Sequence, residues 1–204
     1  MADNTEEKMK YIVIDVETPN CRNDSICSIA YILIDGEMIT EEGDTFVDPE
    51  DIFEDFNISI HGITPDMVVG APKFEKVLET LLEKGRDRIF IAHNAQFDLT
   101  VLSKAAERRL GKTLDFNYLC TVQLARVLHF NNFNIKGDLV LSKLARTLGI
   151  ELTKHHNALF DTRACAGIFL RLCQMYDFQP SCFVKKFARK KYSKPGSGFE
   201  YKIK

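Results

Sequence analysis

The sequence contains no apolar run long enough to cross a bilayer, and its first ten residues, MADNTEEKMK, are polar and acidic. A membrane-spanning helix needs about 20 mostly apolar residues, and a secretory signal peptide needs an apolar segment near the N-terminus. We therefore expect a cytoplasmic protein with no membrane partner. The length of 204 residues suits one domain with a continuous core.

Also absent is any CxxC pair, the commonest cysteine pattern of zinc sites, so a zinc site is not expected. Thiols stay reduced in the cytoplasm. Several of the cysteines have apolar neighbours, and we interpret them as small core residues. The six are Cys21, Cys27, Cys120, Cys165, Cys173 and Cys182.

Positive charge is scarce in the body of the chain and concentrated at its C-terminal end. Residues 185–204 carry eight Lys or Arg and one Glu, a balance of +7, whereas the preceding 184 residues carry 19 basic and 28 acidic side chains. A basic segment on an acidic body indicates contact with a polyanion. A solvated terminal segment without a binding role is the alternative that the composition leaves open.

The apolar patterns predict strands first and then alternating helices and strands, which is typical of an α/β domain with a mixed sheet. Asp35-Gly36 predicts a hairpin, and residues 48–60 read as a loop. The predicted strands are 11–17, 25–35, one or two strands through Phe46 and Val47, 88–92 and 117–121. The predicted helices are a short one with Thr64 as cap and Pro65 first, then Phe74 to Gly85, 95–110, 122–130, 139–148 and 157–176.

Two acidic residues, Asp15 and Glu17, interrupt the apolar run of the first predicted strand. Side chains two positions apart on a strand point to the same face. Two buried carboxylates on one face repel each other and are poorly solvated unless cations neutralise them. The pattern therefore favours a metal site, with a water-exposed edge strand as the alternative.

Two further acidic residues lie where helices are predicted. Asp98 ends the segment HNAQFD (93–98) at a strand-to-helix junction, where the alternative is a helix-start residue favoured by the helix dipole. Asp161 belongs to the last long helix, and His156 lies five residues earlier, off its helical face. We therefore expect His156 in the loop ahead of that helix. The alternative is a solvated loop histidine beside His155.

In combination, these motifs resemble those of the DEDDh family of 3′–5′ exonucleases, with the closest likeness to the proofreading epsilon subunit of bacterial DNA polymerase III and its stand-alone relatives. The matching segments are VIDVET (13–18), IHGITPDMV (60–68), AHNAQFD (92–98), LARTLGI (144–150) and HHNALFDTRACAGIFL (155–170). The resemblance implies a ribonuclease-H-like fold, a mixed five-stranded sheet flanked by helices. We expect this domain at residues 10–180, after a leader of residues 1–9 and before a basic tail of residues 181–204.

The resemblance also implies a role for each motif residue. Two divalent ions, Mg²⁺ or Mn²⁺, would be bound by Asp15, Glu17, Asp98 and Asp161. His156 would be the general base, and His155 would have no catalytic role. Contacts to the terminal nucleotide would come from Thr18, His61 and Phe97. One departure is Pro19-Asn20, where the commonest family pattern has Thr-Gly. The sequence leaves open how this pair affects the binding position of the 3′ end.

The expected function is hydrolysis of single-stranded or frayed DNA from its 3′ end, as in proofreading or repair, with release of nucleoside 5′-monophosphates. The resemblance to a proofreading subunit raises a DNA polymerase as a partner, a point that the sequence leaves open, as it does the oligomeric state. Two alternatives stay open. One is an exoribonuclease that trims RNA 3′ ends, and the other is a non-catalytic module that binds nucleic acid or protein on the same fold.

Overall fold

Six strands form one mixed sheet in the computed structural model, which describes residues 9–128 and 139–188. The strands are β1 (Lys10–Glu17), β2 (Ser28–Asp35), β3 (Met38–Phe46), β4 (Ile89–Ala92), β5 (Asp115–Cys120) and β6 (Lys185–Ala188). The helices are α1 (Asp55–His61), α2 (Phe74–Lys84), α3 (Gln96–Leu110), α4 (Thr121–Leu128), α5 (Leu141–Thr147) and α6 (Ala158–Met175), with 3₁₀ turns at Pro65–Val68 and Pro180–Phe183. In this part of the chain, no helix combines the length and the apolar character that a membrane span requires.

The strand order is β3-β2-β1-β4-β5-β6, with β1 and β4 at the centre of the sheet. β1, β4 and β5 are mutually parallel, whereas β2 and β6 run antiparallel to their neighbours β1 and β5. The ends of the three parallel strands, Glu17, Ala92 and Cys120, therefore form one edge, which we call the carboxyl edge. In open α/β sheets, ligands bind outside the carboxyl ends of the strands.

The two faces of β1 enter different apolar cores because side chains alternate along a strand. Ile12 and Val16 pack with residues of α2 and α3 on one side of the sheet. Val13 packs with residues of α4, α5 and α6 on the other side. Asp15 and Glu17 continue the face of Val13, at the end of a strand that apolar burial holds in place from both sides.

The predicted α/β class is confirmed, and the predicted hairpin turns at Gly36 with a φ of 65°. A single strand, β3, occupies the region where one or two strands were expected. The predicted cap at Thr64 precedes a 3₁₀ turn rather than an α-helix. Residues 129–130 of one predicted helix lie outside the described residues.

The strand count corrects the prediction of a five-stranded sheet, because β6 comes from the segment predicted to be tail. Phe187 points inward, with its ring 6.1 Å from that of Phe116 and 6.4 Å from that of Tyr118, while Lys185 and Lys186 are exposed. One buried aromatic among lysines is too short a pattern to predict a strand. The sheet thus extends past the expected boundary at residue 180, and residues 1–8 and 189–204 lie outside the described part.

α1 lies within the segment predicted to be a loop. Its sequence, DFNISIH, does not show the apolar face of a typical packed helix. In the structure the buried residue is the polar Asn57, while Phe56 and Ile60 are 70% and 39% exposed. The helix ends at Gly62, whose φ of 74° lies in the left-handed region that glycine adopts readily. This helix matters for the site, since it places Asn57 and His61 beside the end of β1.

All six cysteines are free thiols, and Cys27, Cys120 and Cys165 are buried as expected for core residues. Cys21 and Cys182 are exposed, which corrects their interpretation as core residues. Both lie in short connecting segments outside the regular strands and α-helices, where an apolar neighbour in the sequence does not imply burial.

Candidate active site

The first two carboxylates extend past the end of the neighbouring parallel strand. The ladder between β1 and β4 ends at Val13, so Asp15 and Glu17 lie beyond it at the carboxyl edge. On the other side of β1, the small residues Ala30 and Ser28 of β2 stand opposite these two positions. The shorter strand and the small neighbours leave room for further acidic side chains to approach.

Asp98 and Asp161 reach the same place from helices on opposite faces of the sheet. Asp98 lies in the first turn of α3, and its Oδ1 accepts a hydrogen bond of 3.3 Å from the backbone N–H of Val16. Asp161 lies in the first turn of α6. Carboxylate oxygens of Asp15, Glu17 and Asp161 lie within 4.8 Å of one another. Asp98 lines the same cleft as these three residues, so the structure brings all four predicted carboxylates together.

Burial raises the pKa of all four carboxyl groups, and repulsion by neighbouring carboxylates adds to the rise for Asp15, Glu17 and Asp98. Burial raises the pKa of Asp15 well above its ordinary value, and the charges of Asp98 and Glu17 add to the rise. The pKa of Glu17 rises to about 8, mainly through burial and then through Asp161. Burial raises the pKa of Asp98 to about 7 and also that of Asp161, where a hydrogen bond from His155 opposes it. Like charges in such surroundings call for a compensating cation.

No lysine or arginine in the described ranges forms an ion pair with these four carboxylates. A bound cation would balance the charge of these carboxylates. Carboxylate oxygens are hard ligands, which suit Mg²⁺ or Mn²⁺ better than softer metals. The donor set fits the divalent ions that the sequence analysis predicts.

Two adjacent histidines stand at the mouth of this cluster. His156 lies in the loop ahead of α6, as predicted, and its φ of 63° turns its backbone N–H onto Oδ2 of Asp161 at 2.9 Å. His155 donates from Nδ1 to Oδ1 of Asp161 at 3.0 Å. The two imidazole rings are stacked, with centroids 3.9 Å apart. The contact of His155 with Asp161 was not anticipated, although the paired histidines in HHN were its visible signal.

Thr18, predicted to contact the substrate, is held in position by hydrogen bonds from side chains of α1. Its carbonyl oxygen accepts hydrogen bonds from Nδ2 of Asn57 at 3.0 Å and from Nε2 of His61 at 3.1 Å. The backbone N–H of Ile63 donates to Nδ1 of His61 at 2.9 Å. These two bonds hold His61 as the neutral Nε2–H tautomer, in line with its pKa, which burial lowers. Sequence reasoning missed Asn57, the buried residue of an unpredicted helix.

A cleft of about 530 Å³ opens over the carboxylates. Phe97, predicted as a substrate contact, lines it and is 40% exposed. Thr18 and His61 adjoin the cleft at the end of β1 and are not among its lining residues. Two lining residues that sequence reasoning did not single out are Asn94, which has a φ of 63°, and Arg126 of α4. No periodicity or motif in the sequence marks Arg126.

His93, the first residue of the HNxxFD motif, has a structural role. Its Nε2 donates to the carbonyl of Leu139 at 2.8 Å, and its Nδ1 accepts from the hydroxyl of Thr121 at 2.9 Å. Burial lowers its pKa to about 4, so the ring is neutral at physiological pH. His93 thus ties the end of β4 to the start of α4 and to the far wall of the cleft.

The departure at Pro19-Asn20 has a structural explanation. The carbonyl of Pro19 accepts from the backbone N–H of Glu54 at 2.8 Å, and the buried Asn20 donates from Nδ2 to the carbonyl of Ile52 at 2.8 Å. Both bonds fix the segment that follows β1 against the segment that precedes α1. The pair therefore anchors the backbone around Thr18.

Comparisons with known proteins agree with this arrangement. The family model RNase_T, described as Exonuclease, matches residues 12–169. The PolC-type DNA polymerase III of Staphylococcus aureus is 36% identical over 167 residues, which are 80% of this chain but 11% of the polymerase. The chain therefore spans about a ninth of that relative.

Two solved structures show the same fold. Exonuclease X, in complex with 5′-overhanging duplex DNA, has a TM-score of 0.67 at 22% identity and covers 85% of this chain and 96% of its own. The nuclease domain of 3′hExo, a DEDDh family member bound to rAMP, has a TM-score of 0.66 at 18% identity. The match covers 91% of this chain and 98% of the 3′hExo chain. The family model over residues 12–169, together with the four carboxylates that line one cleft, identifies the chain as a member of the RNase_T exonuclease family, of the DEDDh 3′–5′ type.

Proposed function

We propose that this domain hydrolyses the last phosphodiester bond at the 3′ end of single-stranded or frayed DNA and releases nucleoside 5′-monophosphates. One observation carries the proposal. Four carboxylates from β1, α3 and α6 meet in one cleft without a lysine or arginine partner among the described residues. Such an arrangement costs stability, which is expected where a site serves catalysis rather than folding.

The ions would be two Mg²⁺ or Mn²⁺, held by Asp15, Glu17, Asp98 and Asp161. When bound, such ions supply an activated water at neutral pH and compensate charge on the leaving 3′ oxygen. The rigid centre of the sheet fixes Asp15 and Glu17, and the starts of two helices fix the other two ligands. The protein thus holds the ligands in position before a substrate arrives.

His156 is the proposed general base. Its ring lines the cleft, and its side chain forms no hydrogen bond with the described residues. Partial burial and the neighbouring His155 lower its pKa, so the imidazole is neutral and accepts a proton at physiological pH. His155 steadies Asp161 through its Nδ1–H. Because His155 contacts Asp161, a proposed metal ligand, it is the alternative candidate for the role of general base. Experiments on His156 should therefore include His155 as a comparison.

Phe97 is the proposed platform for the terminal base, since an exposed aromatic ring at the cleft stacks on any base without reading its identity. Thr18 and His61 support the backbone at the end of β1 that would meet the 3′ end. DNA is favoured as substrate because the relative that is 36% identical over 167 residues is a DNA polymerase. RNA is the second candidate, and the 3′hExo domain bound to rAMP favours it.

A DNA polymerase is the proposed partner. The 167 aligned residues form 11% of a PolC-type polymerase, so this kind of domain occurs together with a polymerase in one chain. Proofreading of newly made DNA and repair are the corresponding processes. A cytoplasmic location stays a prediction from the sequence.

One experiment tests the function directly. The purified protein is incubated with 3′-labelled and 5′-labelled oligomers of DNA and of RNA, with Mn²⁺ or with EDTA. A ladder that shortens from the 3′ end only with Mn²⁺ supports the proposal, and the faster of the two polymers identifies the substrate. Turnover in EDTA, or shortening from the 5′ end, would refute it. Mn²⁺ binding without turnover of either polymer would favour a non-catalytic binding module.

A further inference from the structure

The wall of the cleft formed by α4 carries a cation in surroundings dominated by carboxylates. Arg126 is exposed and lines the cleft together with Asp15, Glu17, Asp98 and Asp161. Among the described lining residues it is the sole lysine or arginine. A nucleic-acid strand is a polyanion, so it must approach four carboxylates, and a fixed positive charge beside them assists that approach.

The guanidinium of Arg126 has no carboxylate partner in the described part of the chain, which sets it apart from most other arginines there. Ion pairs with Asp or Glu involve Arg22, Arg88, Arg108, Arg109 and Arg163. Each of those guanidinium groups is therefore already paired with a carboxylate of this chain. A free, exposed guanidinium beside a cleft suits a phosphate, whose oxygens match its planar set of N–H donors.

A second cation extends this positive surface along α4. Lys185 of β6 donates from Nζ to Oε1 of Gln123. Gln123 lies three positions before Arg126, and residues at this spacing are neighbours on a helix surface. Because an amide does not neutralise an ammonium group, the charge of Lys185 is uncompensated among the residues that the structure describes. Its position opposite Tyr118 in β5 places it towards the carboxyl edge.

We propose that Arg126 and Lys185 bind successive backbone phosphates of the strand whose 3′ end occupies the cleft. This inference rests on the proposed function and adds the direction in which the strand leaves the site, along α4 towards β6. The contact would be independent of base sequence, because both groups recognise phosphate. We call this surface, formed by Gln123, Arg126 and Lys185, the α4 track.

The test compares Arg126→Gln and Lys185→Gln with Arg86→Gln as the matched control. Arg86 is also exposed and has no ion pair with the described residues, but it precedes β4 and so lies towards the opposite edge of the sheet. For each variant, KM and kcat are measured with Mn²⁺ on a single-stranded oligonucleotide at several salt concentrations. Equilibrium binding of the same oligonucleotide is measured in EDTA.

Loss of Arg126 should raise KM on the order of tenfold, the scale of one charge-assisted hydrogen bond, with kcat little changed. Each substitution in the α4 track should also reduce the slope of log affinity against log salt by about 0.7, the value for one phosphate on a single strand. Arg86→Gln should leave both quantities at the wild-type values. An effect of Arg126→Gln alone would overturn the part of the proposal that concerns Lys185.

Equal behaviour of Arg126→Gln and Arg86→Gln would overturn the inference even if the wild type is an active exonuclease. If the wild type degrades neither DNA nor RNA, the proposed function is refuted instead. In that case, the salt dependence of oligonucleotide binding still tests whether the α4 track binds phosphates. A wild type that neither cleaves nor binds the oligonucleotide overturns both.

Discussion

Nδ1 of His155 lies 3.0 Å from Oδ1 of Asp161, whereas the ring of His156 is stacked on that of His155 and forms no side-chain hydrogen bond with the described residues. The two adjacent imidazoles at the mouth of the cleft thus differ in their hydrogen bonding. Engagement of Nδ1 makes His155 a support for a proposed metal ligand. The imidazole of His156, which has no such bond with the described residues, is the one that we propose as proton acceptor.

His156→Ala should reduce kcat on the order of 100-fold or more, which is the usual scale for a lost general base. His155→Ala should reduce it less, because the carboxylate of Asp161 keeps its hydrogen bond from the backbone of His156. Initial rates on 5′-labelled single-stranded DNA with Mn²⁺ measure both. A larger loss for His155→Ala than for His156→Ala would transfer the role of base to His155.

Asp15→Ala should abolish hydrolysis, and the same change at Asp161 should do so too, because each removes one oxygen ligand from a cluster within 4.8 Å. Calorimetric titration should show that Mn²⁺ binding is weakened in both variants. Asp66→Ala is the control, since Asp66 is an exposed aspartate in a 3₁₀ turn. Full activity of Asp15→Ala would contradict the assignment.

The stability of the metal-free protein should fall between about pH 6.5 and pH 8. The pKa values of Asp98 and Glu17 are raised to about 7 and about 8 in the folded state, so the folded state binds more protons than the unfolded state in this window and loses stability as pH rises. The window starts near pH 6.5 because His93, with its pKa lowered to about 4, has the opposite effect below it.

Tm in EDTA, measured by scanning fluorimetry, should therefore be higher at the acidic end of this window. Mg²⁺ should raise Tm most at the alkaline end, where the carboxylates are charged. Glu17→Gln removes one titrating group and should flatten the pH dependence in EDTA. A Tm in EDTA that increases across the window would be incompatible with the buried carboxylate cluster.

Phe97→Ala should raise KM by about five- to 150-fold, because base stacking on an aromatic side chain contributes roughly 1–3 kcal/mol. Leu82→Ala is the control, since Leu82 of α2 is 39% exposed, close to the 40% of Phe97. Steady-state kinetics on single-stranded DNA measure both. An unchanged KM in Phe97→Ala would exclude this ring as the platform for the terminal base.

The sequence alone determined where the residues of the proposed site lie on their local elements. Asp15 and Glu17 stand two apart in an apolar strand, and this local spacing fixes them on one face whatever the rest of the chain does. The places of Asp98 at a strand-to-helix junction and of His156 ahead of a helix are local in the same way, and both predictions agree with the structure.

Only the tertiary structure decided which groups meet across the fold. β6 is held in the sheet by the packing of Phe187 against Phe116 and Tyr118, which lie on a strand some 70 residues earlier in the chain. No local sequence pattern signals this contact. The support of Thr18 by Asn57, and the place of Arg126 beside the carboxylates, likewise depend on packing between distant segments. Periodicity records which face of an element is apolar, whereas the partner of that face is set by the whole fold.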